Sequence, residues 1–167
     1  MPRLIAFGGL PGTGKTAIAR ELARELGAVY LRIDSIEQAI RASGILDKPI
    51  EDEGYRVAYA LAEENLHIGR TVIADCVNPL QITRDAWVAV ADRAGASVVE
   101  VEVICSDSKQ HQQRIENRVS DISGLKLPTW EDVASREYEP WQRKHVVIDT
   151  AQRSVRDNVS ELLQLLP

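Results

Sequence analysis

The sequence predicts an α/β protein: a parallel sheet of five strands, covered by helices on both faces. Five short apolar runs, at 3–7, 29–33, 71–74, 98–104 and 146–148, alternate with stretches of helical period. Such alternation marks βαβ units, whose crossovers set the strands parallel and lay helices over the sheet. The first strand-to-helix turn is a glycine-rich loop, Gly9-Leu10-Pro11-Gly12-Thr13-Gly14-Lys15-Thr16. A chain of 167 residues, 44% hydrophobic and 27% charged, matches one ordinary globular domain over 1–167.

The first strand and its loop carry the strongest chemical signal. Leu4-Ile5-Ala6-Phe7 is apolar throughout, as a strand buried on both faces must be. Beyond the loop, Ala17, Ile18, Leu22, Ala23 and Leu26 recur at helical spacing, and Gly27 follows as a stop, which predicts a helix over 15–26. The loop fits G-x-x-x-x-G-K-[ST]. Its glycines let the backbone turn N–H groups inward, and those groups with the helix N-terminus make a nest for phosphate oxygens. Lys15 is placed to reach the β- and γ-phosphates, and the Thr16 hydroxyl to hold Mg²⁺. Gly8, Gly12 and Gly14 also fit the dinucleotide-binding glycines of short-chain dehydrogenases. That reading leaves Lys15 and Thr16 idle, and no Tyr is followed four residues later by Lys. It is rejected.

The second strand ends Leu31-Arg32-Ile33-Asp34-Ser35. Ligands of open α/β sheets gather beyond the carboxyl ends of the strands, so Asp34 faces the loop from a neighbouring strand. It is placed there to accept a proton from a hydroxyl attacking the γ-phosphate. Asp is also a favoured helix cap, here for a helix over 35–42. With the phosphate loop beside it, the base is the better reading. The polar stretch 44–54 reads as a substrate flap or, more ordinarily, a solvated acidic turn. A helix is predicted over 51–68, with Tyr55, Arg56 and Tyr59 at its start as packing or, less ordinarily, substrate contacts.

The third strand runs Thr71-Val72-Ile73-Ala74 into Asp75, an acid expected near the metal through a water. The next residue is Cys76, where motor-type and transporter-type ATPases place a catalytic Glu, and no N-K-x-D appears. Water has no activating group, so transfer to another acceptor gains weight. Arg84, in a helix over 80–94, is placed for a substrate anion or a surface salt bridge, while Trp87, Val88, Val90 and Ala91 form that helix's core face. Valines of the fourth strand alternate with Glu100 and Glu102, so part of one sheet face must be open or paired.

In a helix over 109–118, Arg114 and Arg118 are four apart and share a face. They lead into a polar stretch with Ser120, Asp121, Ser123, Gly124 and Lys126. A helix that delivers two guanidiniums to a mobile polar loop is the arrangement of a closing lid, roughly 119–135, which would exclude water. Further helices are predicted over 130–138 and 154–166, with the loop after Asp149 and Thr150 facing the nucleotide base.

Cys76 and Cys105 lack metal spacing and read as reduced thiols; His67, His111 and His145 receive no role. No apolar run approaches membrane-spanning length and no signal-peptide core precedes the first strand, so a cytoplasmic location is expected. A net charge of −5 argues against a polyanion held over a broad surface, leaving room for a short nucleic-acid end in a local basic pocket.

Together these residues resemble the small P-loop kinases of the AAA-like, zeta-toxin-like group, with the kinase domain of polynucleotide kinase, chloramphenicol phosphotransferase and zeta toxins. The resemblance covers nearly the whole chain. It rests on Gly9 to Thr16, Arg32-Ile33-Asp34, Thr71 to Asp75, Arg114-Ile115-Glu116-Asn117-Arg118, Tyr138-Glu139-Pro140 and Ile148-Asp149-Thr150. It implies a P-loop NTPase three-layer α/β/α sandwich, nucleoside-monophosphate-kinase-like, with strand order 2-3-1-4-5. It implies ATP and Mg²⁺, and phosphate transfer to a hydroxyl of a small-molecule acceptor. Asp34 would be the general base, and Arg114 and Arg118 would contact ATP. Lys15, Asp34 and Arg118 form the expected catalytic set. One departure is Glu37, where several relatives place an acceptor-holding Arg; the next Arg here is Arg41. This disfavours a polynucleotide acceptor. The rival is a nucleotide-binding regulator whose lid state signals to a partner protein.

Overall fold

The computed structural model describes residues 1–167. Its strands are β1 (Arg3–Gly8), β2 (Val29–Arg32), β3 (Val72–Asp75), β4 (Ser97–Ile104) and β5 (Val146–Asp149). Its helices are α1 (Lys15–Leu26), α2 (Ile33–Ser43), α3 (Glu53–His67), α4 (Gln81–Arg93), α5 (Ser108–Glu116), α6 (Trp130–Ala134) and α7 (Val155–Leu165). The strands pair in parallel in the order β2-β3-β1-β4-β5, as the resemblance implied.

β1 is the middle strand, and its residues Leu4 to Phe7 are wholly buried. Successive side chains leave a strand on opposite faces. Leu4 and Ala6 therefore join Val72 and Ala74 against Ala58, Ala62 and Leu66 of α3 and Trp87, Val90 and Ala91 of α4. Ile5 and Phe7 join Val101, Val103 and Ile148 against Ile18 and Leu22 of α1 and Val159 and Leu162 of α7. The predicted face of α4 is core, apart from half-buried Val88. Tyr59 also packs there, edge-on to Trp87 with ring centroids 4.5 Å apart, and the Tyr55 hydroxyl accepts from the Asn78 N–H at 2.9 Å. Both tyrosines are packing residues.

Three helix boundaries differ from the periodicity. α2 starts at Ile33, directly after β2, because Ile33 is itself a core residue. Asp34 thus lies in the first turn and the N-cap is Arg32. α5 ends at Glu116, with Asn117 as its C-cap. His111 and Ile115 are its only buried side chains, Val119 is exposed, and nothing apolar holds another turn. Arg118 lies beyond the helix, so the expected shared face with Arg114 does not form. α6 opens with a capping box between Thr129 and Asp132 and stops after five residues.

Beyond α6 the chain is irregular, and Arg84 pins it. This guanidinium is 1% exposed and donates to the carbonyls of Asn78 (3.0 Å), Pro140 (3.1 Å), Glu139 (2.8 Å) and Pro79 (3.2 Å). It also stands 4.1 Å from the Trp141 ring centroid. Arg84 is neither an anion holder nor a surface ion pair. The same segment pairs with the glutamates of β4. Arg143 makes two bonds to Glu100, at 2.9 and 2.8 Å, and Glu102 meets the Tyr138 hydroxyl at 3.2 Å and His145 at 3.1 Å. The polar half of that face is paired.

The stretch 44–54 is held by Lys48 against Glu53, 3.2 Å apart, and contributes nothing to the main cavity, so the flap is set aside. Cys76 is buried, Cys105 is half-buried, and neither forms a disulfide. No helix is long and apolar enough to cross a membrane.

Candidate active site

The phosphate loop leaves β1 at the carboxyl end of the sheet and turns into α1 through Gly12 (φ 80°) and Gly14 (φ 100°). Side chains other than glycine rarely adopt such angles. The N–H groups of Gly12, Thr13, Gly14, Lys15, Thr16 and Ala17 find no acceptor within the protein. Most of these residues line a cavity of about 980 Å³. Orphan donors concentrated at a helix N-terminus fit a triphosphate.

The loop is braced from behind. The Thr150 hydroxyl donates to the Thr13 carbonyl at 2.6 Å, and Arg114 donates to the Thr150 hydroxyl (2.7 Å), the Thr150 carbonyl (3.0 Å) and the Thr13 carbonyl (3.3 Å). Arg114 lines the cavity, yet it also builds the loop, and the Thr150 side chain turns to the loop rather than outward. His111 pairs with the Pro11 carbonyl at 2.7 Å and stands edge-on to Trp130. That gives it a bracing place the sequence did not suggest. Gly9 joins the brace through its N–H to the Val77 carbonyl, and Leu10 accepts from both Thr13 (2.9 Å) and Lys15 (3.0 Å).

Lys15, Thr16, Asp34, Asp75 and Arg118 all line this one cavity. Burial pulls the Lys15 ammonium below its ordinary pKa, and the charges of Asp75 and then Asp34 push it back up. Asp75 is 3% exposed and accepts from the Tyr30 hydroxyl at 2.7 Å. The Thr16 hydroxyl and the Asp75 carboxylate are hard oxygen donors, as Mg²⁺ requires. The chain holds no cluster of three or more acidic, His or Cys residues able to bind a metal alone. A cation here would therefore complete its shell with phosphate oxygens and water, which is how Mg²⁺ is usually held.

On the other side of the cavity, α2 presents Asp34, Glu37, Gln38 and Arg41, spaced along one helix face. Burial pushes the Glu37 carboxyl up, and Arg41, 3.5 Å away, opposes the shift. The segment expected to be a lid lies across this face. A Cβ added at Gly124 would come within 2.8 Å of the Gln38 amide nitrogen, so the lid backbone rests on α2. Asp121 of the lid accepts from both Arg20 and Arg32, each at 2.8 Å. Sequence reasoning named Asp121 only as a polar lid residue and missed Arg20 and the role of Arg32. These pairs span 101 and 89 positions, beyond any local period. The α2 face, by contrast, was legible as polar residues at helical spacing.

Only five of the 25 residues lining the cavity are hydrophobic and none is aromatic, which fits a polar ligand. Three solved structures share the whole fold. The APS kinase CysC of Mycobacterium tuberculosis, solved with AMPPNP and APS, is 20% identical, with TM-score 0.73 over 98% of this chain and 96% of that one. Kti12 of Chaetomium thermophilum, solved with ADP-AlF3, is 21% identical, with TM-score 0.71 over 98% and 99%. A gluconokinase from Sinorhizobium meliloti 1021 is 22% identical, with TM-score 0.64 over 98% and 93%. No curated protein matches the chain by sequence. At these identities the likeness speaks for the fold. The family model described as an AAA domain (AAA_33) matches residues 4–140. The chain therefore belongs to this AAA-domain family and has the fold of the small P-loop kinases.

Proposed function

We propose that the protein is an ATP- and Mg²⁺-dependent phosphotransferase that moves the γ-phosphate of ATP to a hydroxyl of a small polar acceptor. One observation carries this reading: Asp34 shares a cavity with the Lys15 side chain and with Gly12, Gly14, Lys15, Thr16 and Ala17, whose N–H groups have no backbone acceptor. The N–H groups and Lys15 would hold the triphosphate, and the α2 face would hold the acceptor. Asp34 would take the proton of the hydroxyl as its oxygen attacks the γ-phosphorus. The new O–P bond forms as the bond to ADP breaks, and ADP leaves with its charge met by the nest and Lys15. Arg118 would spread its guanidinium over the transferring oxygens. Bound Mg²⁺, held by Thr16 and Asp75, would neutralise phosphate charge. A lid resting on α2 supports the exclusion of water, and Cys76 in place of an activating carboxylate supports transfer over hydrolysis.

The cavity wall also bears on the acceptor. With no aromatic ring to stack on, it favours a polyhydroxylated molecule over a nucleobase. The test is ADP release by the wild-type protein over a panel of sugars, sugar acids, nucleosides, hydroxylated antibiotics and 5′-hydroxyl oligonucleotides. A polyhydroxylated acceptor that raises ADP release well above the ATP-only background is the expected result. A flat panel from protein that still binds ATP would favour a nucleotide-dependent regulator.

A further inference from the structure

A chain of charges links the lid to the carboxylate beside the phosphate loop. Arg32, the last residue of β2, is 7% exposed. Its Nη1 donates to Asp121 of the lid at 2.8 Å. Its Nε lies 3.9 Å from Asp75, too far for a hydrogen bond, and is buried without a partner. The Asp75 oxygen it approaches is already taken by the Tyr30 hydroxyl. A buried guanidinium thus stands between two carboxylates, one fixed on β3 and one on the lid.

We propose that Arg32 is a positioning residue that couples closure of the lid to occupancy of the metal position at Asp75. The proposal rests on the reading of Asp75 as the carboxylate on the metal side. A buried charge needs a counter-charge, and Arg32 has two to draw on. A divalent cation beside Asp75 repels Arg32 and leaves Asp121 as its main partner, so metal binding strengthens the closed lid. Linkage makes the effect reciprocal. A closed lid draws Arg32 toward Asp121, leaves Asp75 the more anionic, and tightens the metal. The lid then closes more readily over a metal-loaded nucleotide than over the bare one. Arg20 provides an internal control. It holds the same Asp121 oxygen at 2.8 Å, but it is half-buried and reaches Asp75 only indirectly, through Tyr30. It should strengthen the latch and report the metal less than Arg32 does.

The experiment follows hydrogen exchange of residues 119–128 at saturating ATP while Mg²⁺ is titrated. The proteins are wild type, Asp121→Asn, Arg20→Gln, Arg32→Gln and the Asp121→Asn/Arg32→Gln pair. In wild type, protection should rise with Mg²⁺. Asp121→Asn should move the Mg²⁺ midpoint up by about five-fold or more, the lower end of ordinary coupling strengths. Arg20→Gln, which weakens the latch but leaves Arg32 between its two carboxylates, should reduce protection at every Mg²⁺ concentration and move the midpoint by less than Asp121→Asn does. In the Arg32→Gln background, Asp121→Asn should add no further shift. An Asp121→Asn midpoint within about two-fold of wild type lies below that range and overturns the proposal. So do additive shifts in the pair. If Arg32→Gln fails to fold, exposed Asp121 still gives the decisive midpoint. The phosphotransfer reading is judged separately by acceptor-dependent ADP release. Transfer without the midpoint shift sinks the coupling alone, and the shift without transfer sinks the phosphotransfer reading alone.

Discussion

Lys15 and Asp34 lie in one cavity, close enough for the Asp34 charge to raise the Lys15 pKa against the pull of burial. On the proposed function, Lys15 would neutralise the negative charge that builds on the transferring phosphoryl group. Lys15→Met should lower acceptor-dependent kcat by about 10²- to 10³-fold, the usual cost of one lost electrostatic donor. Steady-state ADP release checks this. Asp121 gives a second prediction. Hydrogen bonds from Arg32 and then Arg20 hold its carboxyl well below the usual range near 3.8. An acid depressed in the folded state adds stability above its unfolded pKa and loses it as pH falls through the folded one. The latch should therefore be made throughout neutral pH. Lid hydrogen exchange, corrected for intrinsic rates, should stay flat from about pH 5 to pH 8 and rise only in strong acid. Residues of the phosphate loop could be read from the sequence because all their spacings fall within one turn. The pairing of Asp121 could not, because its partners come from distant segments.

The helices that lie on the sheet follow their apolar periods, whereas the lid-side elements do not. α1, α4 and α7 match the sequence expectation within a residue or two because continuous apolar stripes hold them. The stretch after Trp130 also shows helical spacing through Val133 and Tyr138. Yet Tyr138 is drawn to Glu102 and Arg84 binds the carbonyls of Glu139 and Pro140, so the helix stops early. Polar anchors from other elements overrode the local period there. The same anchors explain Glu100 and Glu102, which the sequence marked as anomalous without naming their partners. Arg143→Ala would leave Glu100, 6% exposed, without its two-bond partner. Because Arg143 is itself partly exposed, the expected loss of stability is about 2–3 kcal/mol. Urea unfolding of wild type and variant measures it. A loss within about 0.5 kcal/mol, the range of ordinary surface changes, would mean that water serves Glu100 equally well.

Across the whole molecule, the sheet order sets the site. β1 lies between β3 and β4, where the strand order changes direction, and its carboxyl end opens into the crevice where open α/β sheets bind ligands. The phosphate loop from β1, Asp75 from β3 and α2 after β2 converge there from three successive units. That convergence was legible because strand order follows from the fold and each residue falls at a strand end. The acceptor side was less so, since α2 and the lid meet only in three dimensions. Net charge left room for a local basic pocket, and a chain of −5 lines this cavity with Lys15, Lys126 and several arginines, which suits a phosphorylated ligand. Chelating Mg²⁺ should abolish acceptor-dependent ADP release and its return should restore it, as a metal held mainly by phosphate and water exchanges freely. The most direct measurement compares Asp34→Asn with wild type on an acceptor found by the panel, with ATP affinity measured on the same samples. A fall of about 10²- to 10⁴-fold in acceptor-dependent turnover, at unchanged ATP affinity, is expected for loss of a general base. Wild-type turnover by Asp34→Asn would contradict it and remove Asp34 from the chemistry.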